Sequence, residues 1–171
     1  KILNSEFSEK WCLVVDLDEF ILLQDDQTLV QLKNKMSIQN KTILQTVLVD
    51  FYPAQLDKNT YIEGDNVFNH SPYYDTFNSR HYKFNFQHTV GLGIHGGVRH
   101  RMYDAKPCLC KRSFFKNDFT PFELSVGYHW ITDKKNNTPI TKYYDECVFI
   151  MHAKYTKSDF STYLAERIKK N

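Results

Sequence analysis

The feature that most constrains the fold is an apolar run that ends in acids. Residues 11–17 read WCLVVDL, and Asp18 and Glu19 follow directly. A continuous apolar run of this length, closed by acids, is typical of a strand that is buried on both faces of a sheet. The sequence therefore predicts an interior strand over residues 11–17, with its acids at the carboxyl end.

The next two segments predict a helix and a second strand. Apolar residues recur at helical spacing over residues 28–38, where Asp25 or Asp26 is in position to cap the first turn. Residues 43–51 form another apolar run, which Pro53 stops. The order strand, helix, strand predicts a parallel crossover, which is the unit of an α/β sheet.

The later part of the chain predicts fewer regular elements. Residues 54–95 are polar and aromatic with poor periodicity, and loops of that length in compact domains are usually functional or partly disordered. Short strands are predicted over residues 98–103 and 108–114, and a clear late strand over residues 147–152. After residue 155, apolar side chains at helical spacing predict a terminal helix.

Composition excludes several classes of protein. A chain of 171 residues predicts one domain. The net charge of +2 leaves no electrostatic footprint for nucleic acid, and no apolar run is long enough to span a bilayer. Cys108 and Cys110 have no second close pair to complete a zinc site, and the cysteine pattern favours a reducing, cytoplasmic setting. Membrane association would then need segments outside this chain.

The acids of the first strand are the strongest chemical signal. Side chains alternate along a strand, so Asp16 and Asp18 are expected to point the same way with Leu17 buried between them. Ligands of open α/β sheets bind at the carboxyl ends of strands, and a divalent cation relieves the repulsion between two convergent carboxylates. The alternative interpretation is a solvated acidic turn.

One family resemblance rests on this motif alone. LVVDLDEF, residues 13–20, is similar to the opening motif of the haloacid-dehalogenase-like phosphatases. That resemblance implies Asp16 as a nucleophile and Asp18 as a general acid. The residues after Asp18 depart from the family's pattern, and the late strand ends in His152 where that family has paired acids.

A second resemblance extends along most of the chain. WCLVVDLDEF, residues 11–20, resembles the signature strand of family 2-like glycosyltransferases with a GT-A-type fold. Pieces that resemble later elements of the family follow in the same order: DFYP (50–53), SPYYD (71–75), GGVRHRMY (96–103), KPCLCK (106–111), GYH (127–129) and MHAKY (151–155).

The glycosyltransferase resemblance implies a metal-dependent enzyme. Its activity is transfer of a sugar from a nucleotide diphosphate sugar to a hydroxyl of a glycan or other acceptor, with inversion. Asp18, Asp16 and His152 are then expected to bind Mn²⁺ or Mg²⁺, with Asp16 also near the nucleotide ribose. The metal would screen the negative charge that develops on the diphosphate leaving group. For His152, a hydrogen-bonded core residue is the alternative interpretation.

The same resemblance suggests residues that contact donor and acceptor. Arg99 and Arg101 alternate onto one side of the predicted strand, where they would hold the diphosphate or an acceptor carboxylate. Structural ion pairs are the alternative role for both. An inverting transfer also needs a general base, for which Asp75, Asp50 and Glu123 are the candidates in that order.

The start of the chain departs from the glycosyltransferase pattern. A GT-A-type domain places a nucleotide-binding half ahead of its Asp-x-Asp strand, whereas only ten residues precede Trp11. The resemblance therefore implies that residues 1–171 are the C-terminal part of one such domain, with a mixed sheet flanked by helices. A third hypothesis is a carbohydrate-binding module without catalysis, since the chain has 13 Phe, 11 Tyr and 2 Trp that can stack on sugar rings.

Overall fold

The computed structural model describes residues 6–54, 62, 64–76, 82–87, 91–118, 122–133, 138–139, 143–144, 146 and 148–153. Within these ranges the chain has a mixed α/β fold that is rich in strands and has short helices. The predicted α/β class is confirmed at this level.

The described elements are as follows in chain order. The strands are β1 (Trp11–Leu13), β2 (Glu19–Leu22), β3 (Ile43–Tyr52), β4 (Tyr73–Tyr74), β5 (Tyr82–Gln87), β6 (Gly91–Gly96), β7 (Cys110–Lys116), β8 (Phe122–Leu124), β9 (Ile131–Asp133), β10 (Thr138–Pro139) and β11 (Val148–His152). The helices are α1 (Leu29–Ile38), α2 (Val67–His70) and α3 (Val98–Tyr103), with a 3₁₀ turn at Val126–Tyr128.

A six-stranded sheet organises the described part of the chain. Its strand order is β1-β7-β3-β11-β2, and β4 pairs with the last residues of β3. Only β3 and β11 are parallel neighbours among the described pairs. Strands β1, β3 and β11 therefore finish at the end of the sheet where β2 and β7 begin. We call this end the polar end.

Two smaller sheets accompany the central one. Strands β5 and β6 form an antiparallel pair, and an isolated bridge between His95 and Cys108 joins β6 to the segment before β7. Strands β8, β9 and β10 form a three-stranded antiparallel sheet. The β5–β6 pair falls within residues 54–95, so the expectation of an irregular segment is wrong there.

The core lies around β3, the central strand of the large sheet. Its residues from Ile43 to Asp50 are all buried, which fits an element that has neighbours on both edges and layers on both faces. Phe115 of β7 and Ile150 of β11 are fully buried beside it. The strands predicted over residues 43–51, 108–114 and 147–152 are confirmed as β3, β7 and β11.

The first predicted strand differs most from the structure. β1 stops at Leu13 and lies at one edge of the sheet, where β7 is its one partner among the described strands. Residues 14–18 then cross the polar end to β2, on the opposite edge. In this segment Leu17 is fully exposed and Val15 is 37% exposed. An interior strand over residues 11–17 with Leu17 buried was therefore the wrong prediction.

The predicted crossover is right in the direction of its two strands, because β1 and β3 are both antiparallel to β7 and therefore run the same way. They are not neighbours, however, since β7 lies between them in the sheet and β2 comes between them along the chain. Helix α1 connects β2 to β3, and β2 is antiparallel to β11 whereas β3 is parallel to it. The two strands joined by α1 therefore run in opposite directions.

Helix α1 itself is confirmed, but its cap is not the predicted one. Thr28 is the N-cap: its side chain accepts a hydrogen bond from the Gln31 amide, and the Gln31 side chain accepts one from the Thr28 amide. This reciprocal pair is a capping box. Asp25 and Asp26 have φ values of 42° and 53° and lie in the turn before the cap.

Helix α3 replaces a predicted strand. Gly96 and Gly97 have φ values of 125° and 73°, which ends β6 and turns the chain into a helix over residues 98–103. Arg99 and Arg101 therefore do not alternate along a strand. The predicted terminal helix after residue 155 lies outside the described residues.

The buried face of α1 generates a stability prediction. Met36 is fully buried, whereas Ile38 is 86% exposed on the same helix. Met36→Ala is expected to lower the free energy of unfolding by about 2–5 kcal/mol because it leaves a cavity. The control, Ile38→Ala, should change it by about 0.5 kcal/mol or less. Urea denaturation measures both, and equal effects would contradict the placement of α1.

Candidate functional site

Residues 14–18 cross the polar end and bring two acids close to the end of β11 and the starts of β2 and β7. The Asp18 carbonyl accepts a hydrogen bond from the Ala153 amide at 2.8 Å, which fixes Asp18 beside the end of β11. The Asp16 amide donates to the Glu19 carboxylate at 3.2 Å. The two acids of the Asp-x-Asp motif thus lie in a turn, and they contact different partners.

A buried carboxylate–histidine pair occupies the centre of the polar end. Asp50, near the end of β3, lies opposite His152 in the parallel β3–β11 register, and its Oδ1 is 2.7 Å from His152 Nδ1. Because the ionised carboxylate only accepts, Nδ1 carries the hydrogen. The other ring nitrogen, Nε2, lies 3.8 Å from Asp18 Oδ2. The polar end therefore aligns two carboxylates on either side of one imidazole.

Arg99 completes the surroundings of Asp50. Its Nε is 2.7 Å from Asp50 Oδ2, while its Nη2 is buried without a hydrogen-bond partner among the described residues. Burial alone would raise the pKa of Asp50, but the hydrogen bond from His152 and the charge of Arg99 outweigh it and hold that pKa below its usual range. Asp50 is thus a buried anion that binds β3 to both β11 and α3.

A second ion cluster fixes Asp16. Lys111, at the start of β7, is buried, and its Nζ lies 3.0 Å from Asp16 Oδ2 and also contacts the buried carboxylate of Glu19. The ammonium group lies 5.6 Å from the ring centroid of Tyr128. Sequence reasoning gave no role to Lys111 or Glu19. The available signal was a lysine within the strand predicted over residues 108–114, since a lysine that becomes buried there needs a charged partner.

A third cluster surrounds Asp75, next to β4. Arg101 makes two bonds to its carboxylate, Nε to Oδ2 and Nη2 to Oδ1, each at 2.9 Å. The Tyr52 hydroxyl donates to Oδ1 at 2.7 Å, and the Tyr82 hydroxyl donates to the Asp75 carbonyl at 2.9 Å. Burial, and then the nearby Asp75 charge, raise the pKa of Tyr82. A β-carbon on Gly97 would meet this hydroxyl at 3.3 Å, so glycine makes room for it.

The structure distributes the predicted site residues over these groups. Asp18, Asp50 and His152 meet at the polar end, and Arg99 reaches them from α3. Asp75 and Arg101 form a separate ion pair beside the end of β3. Glu123, the third candidate base, lies exposed in β8 of the three-stranded sheet.

Two candidate pairs did not meet as expected. Arg99 and Arg101 each bind a different carboxylate, as the ion-pair interpretation describes. Asp16 and Asp18 diverge towards Lys111 and His152. Within the described ranges, no three His, Cys, Asp or Glu side chains form a group that could hold a metal ion.

Comparisons of the chain with models of known protein families, with curated proteins and with solved structures found no match. None of the helices in the described part of the chain combines the length and apolar character needed to cross a membrane.

The buried Asp50 anion generates a pH-dependent stability prediction. Asp50→Asn is expected to lower the free energy of unfolding at pH 7 by about 3–5 kcal/mol, because the buried groups that contact Asp50 lose the negative charge of their partner. Since the pKa of Asp50 is lowered in the folded protein, its contribution is present above the ordinary carboxyl pKa of about 4 and is lost as the pH falls through the folded value.

Urea denaturation between pH 7 and pH 3 tests this prediction. The difference between wild type and Asp50→Asn should stay constant down to about pH 4 and then shrink. The control is Asp104→Asn, because the Asp104 side chain is 87% exposed and asparagine tolerates its left-handed backbone. A difference that grows on acidification would contradict the assignment of Asp50 as a stabilised anion.

Proposed function

We propose that this protein is a glycosyltransferase that uses a divalent cation to transfer a sugar from a nucleotide diphosphate sugar to an acceptor hydroxyl. The observation that supports this proposal best is the alignment of Asp50, His152 and Asp18 at the polar end. Histidines that bind metals almost always donate their other ring N–H to a carboxylate, which orients the ring and raises its basicity. Asp50 is such a partner for His152.

The separation of Asp18 and His152 fits two ligands of one ion. Metal–ligand distances of about 2.0–2.2 Å put neighbouring ligand atoms roughly 3–4 Å apart, and Asp18 Oδ2 lies 3.8 Å from His152 Nε2. Mg²⁺ is usually held by one or two carboxylates together with substrate phosphates and water. A site with two protein ligands is therefore suited to a cation that arrives with a diphosphate. The bound cation would screen the charge that develops on the leaving diphosphate.

Arg99 offers a contact for the same diphosphate. Asp50 binds Nε of its guanidinium, and the buried Nη2 has no hydrogen-bond partner within the part of the chain that the structure describes. An unpaired buried donor is costly, and an anionic oxygen is the partner that would satisfy it best. In this proposal Asp50 holds both His152 and Arg99 in position and is not itself the base.

Asp75 is the preferred base for the acceptor hydroxyl. Its side chain is 10% exposed, against 2% for that of Asp50, and it borders the exposed rings of Tyr73 and Tyr74. An acceptor hydroxyl that replaced the Tyr52 hydroxyl at Oδ1 would leave both Arg101 bonds intact. The acceptor is then a glycan or other hydroxyl compound that stacks on these rings, and the proposed setting is cytoplasmic.

Cation binding provides the first functional prediction. Mn²⁺ titration in the presence of a nucleoside diphosphate should show affinity at least tenfold lower in Asp18→Asn than in wild type, because one of two protein ligands loses its charge. Asp16→Asn should weaken binding less, since Asp16 faces Lys111. Isothermal calorimetry measures both, with Asp104→Asn as the control.

Two outcomes separate the proposal from its alternatives. Unchanged Mn²⁺ affinity in Asp18→Asn would remove the metal role of that residue. If a glycan bound the double variant Asp16→Asn, Asp18→Asn as tightly as wild type, and no sugar transfer occurred in wild type, the result would favour a carbohydrate-binding module.

The phosphatase alternative is favoured by one contact and opposed by one feature of the fold. The ammonium of Lys111 lies against Asp16, as would suit a carboxylate nucleophile that attacks phosphate. However, Asp16 follows an edge strand and lies in a turn, whereas ligands of open α/β sheets gather in the crevice at a topological switch point between strands.

Beryllofluoride distinguishes the two activities. A phosphatase nucleophile forms an aspartyl-phosphate, so beryllofluoride should be trapped on Asp16 in that case only. We expect no trapped adduct by mass spectrometry, and we expect a nucleotide diphosphate sugar with Mn²⁺ to raise the melting temperature. Phosphate release from an aryl phosphate, abolished in Asp16→Asn, would overturn the proposed transfer.

A further inference from the structure

A cavity of about 500 Å³ lies beside the β5–β6 pair, outside the groups described above. The described residues that line it are Lys83, Phe84, His95, Gly96, His100 and Lys106. Two of them are lysines and two are histidines, whereas no carboxylate lies among the described lining residues. The volume falls within the range of about 300–1,000 Å³ that is typical of sites for small molecules. The proposed transfer uses none of these side chains.

Three extended segments place basic side chains around this cavity. Lys83 of β5 lies directly opposite His95 of β6 in the antiparallel register, so both side chains belong to one face of the pair. His95 also forms an isolated antiparallel bridge with Cys108, on the other edge of β6. Lys106 precedes Cys108 by two residues and lines the cavity from this third segment. Residues of β5, β6 and the segment before β7 therefore converge on one space.

Helix α3 supplies the fourth basic side chain. His100 lies on this helix, which follows β6 directly, and its Nδ1 is 3.4 Å from Oδ1 of Asp104. The Asp104 side chain is 87% exposed, so solvent screens most of its charge. The preceding residue, Arg99, forms the ion pair with Asp50 of β3. That ion pair holds α3 against the central strand, and His100 is held at the cavity with it.

The two lysines of the cavity have no anionic partner in the described part of the chain. Within those ranges, Lys83, His95 and Lys106 make no ion pair and no side-chain hydrogen bond. Positive groups that converge in this way repel one another, and a bound anion removes the repulsion while it accepts their hydrogen bonds. The arrangement is therefore complementary to an anionic ligand.

The lining of the cavity favours a phosphate ester that carries a planar ring. A phosphate monoester has three acceptor oxygens and a charge of about −1.5 to −2 at pH 7. It can therefore use more of the four basic side chains than a carboxylate, which has two oxygens and one charge. Phe84 is 54% exposed at the same cavity. An exposed aromatic ring offers a face on which the ring of a ligand can stack.

We propose that this cavity binds a small phosphate monoester with a planar ring, such as a nucleoside monophosphate or another aryl phosphate. Lys83 and Lys106 bind the phosphate, and the ligand's ring packs against Phe84. His95 and His100 donate further hydrogen bonds to the phosphate oxygens. The binding needs no divalent cation and no residue of the polar end, so it does not depend on the proposed sugar transfer.

Isothermal calorimetry with adenosine monophosphate and EDTA tests the site in the full chain. EDTA removes divalent cations, so cation-dependent binding at the polar end does not contribute. Lys83→Met and Lys106→Met should each lower the affinity about tenfold or more, because a charge-assisted bond to phosphate is lost. Both lysines are exposed, so neither change removes buried packing. The control, Lys35→Met, removes the same charge from an exposed position of α1 and should leave the affinity unchanged.

Different ligands separate the phosphate contact from the ring contact. Phe84→Ala should weaken adenosine monophosphate binding and leave the binding of inorganic phosphate unchanged. Adenosine, which lacks the phosphate, should not bind, and added salt should weaken the binding of adenosine monophosphate because the contact is ionic. If phenyl phosphate binds as tightly as adenosine monophosphate, the site accepts aryl phosphates in general. If phenyl phosphate binds more weakly, the site is specific for nucleotides.

Lysine acetylation tests the site in wild type without any substitution. Adenosine monophosphate should slow the acetylation of Lys83 and Lys106 by an N-hydroxysuccinimide ester and leave that of Lys35 unchanged, as measured by mass spectrometry of peptides. Unchanged acetylation of both cavity lysines, or adenosine binding as tightly as its monophosphate, would overturn the proposal. Wild-type affinity in both lysine variants, or no binding of either phosphate ester to wild type, would do the same. The Mn²⁺ affinity of Asp18→Asn is a separate result, so failure of one proposal does not decide the other.

Discussion

The buried carboxylate of Asp50 is the constraint on which the polar end depends. A charge removed from water is tolerated only where opposite charges and hydrogen bonds replace the lost solvation. For Asp50 these come from His152 on β11 and Arg99 on α3. The parallel β3–β11 register and the helical form of residues 98–103 both deliver a donor to the same carboxylate. The backbone structure at this point of the fold therefore supplies the hydrogen bonds and the positive charge that the buried carboxylate needs.

The strand order of the large sheet brings the residues of the candidate site together at the polar end. Because β7 and β11 flank β3, the start of β7 brings Lys111 to the polar end and the end of β11 brings His152 there. The segment from Asp16 to Asp18 crosses between the two edges of the sheet above them, and each of its acids meets a different cation or imidazole. The same segment also closes the end of the sheet. Its conformation is thus coupled to both ion clusters.

Sequence patterns predicted the elements whose signal is local. The apolar run of β3 and the helical spacing of apolar residues in α1 were enough to predict these two elements, because a fully buried strand and an amphipathic helix are defined by their own side chains. The edge position of β1 was not predictable in this way, since burial on one face or two depends on which strands become neighbours. The capping role of Thr28 had a local signal, the Thr-x-x-Gln spacing, which the nearby acids obscured.

The sequence predicted several residues of the candidate site but not the contacts between them. Asp18, Asp50 and His152 were identified, yet the partners Lys111 and Glu19 were not, because their contacts join residues that are roughly ninety positions apart in sequence. Residues 98–103 carry no periodicity that distinguishes a strand from a short helix, and the two glycines before them decide it through their positive φ values.

The divergence of Asp16 and Asp18 has a chemical consequence. Alternation along a strand would have directed both carboxylates to one cation, with Leu17 between them in the interior. The turn instead exposes Leu17 completely and leaves Asp16 to neutralise the buried Lys111. Asp18 then acts with an imidazole that Asp50 orients. In the proposed transfer, such a pair would hold a divalent cation by one carboxylate and one nitrogen, and most of the coordination sphere would remain available to the phosphates of a donor. The proposed cation is therefore one that the protein shares with a substrate and does not hold alone.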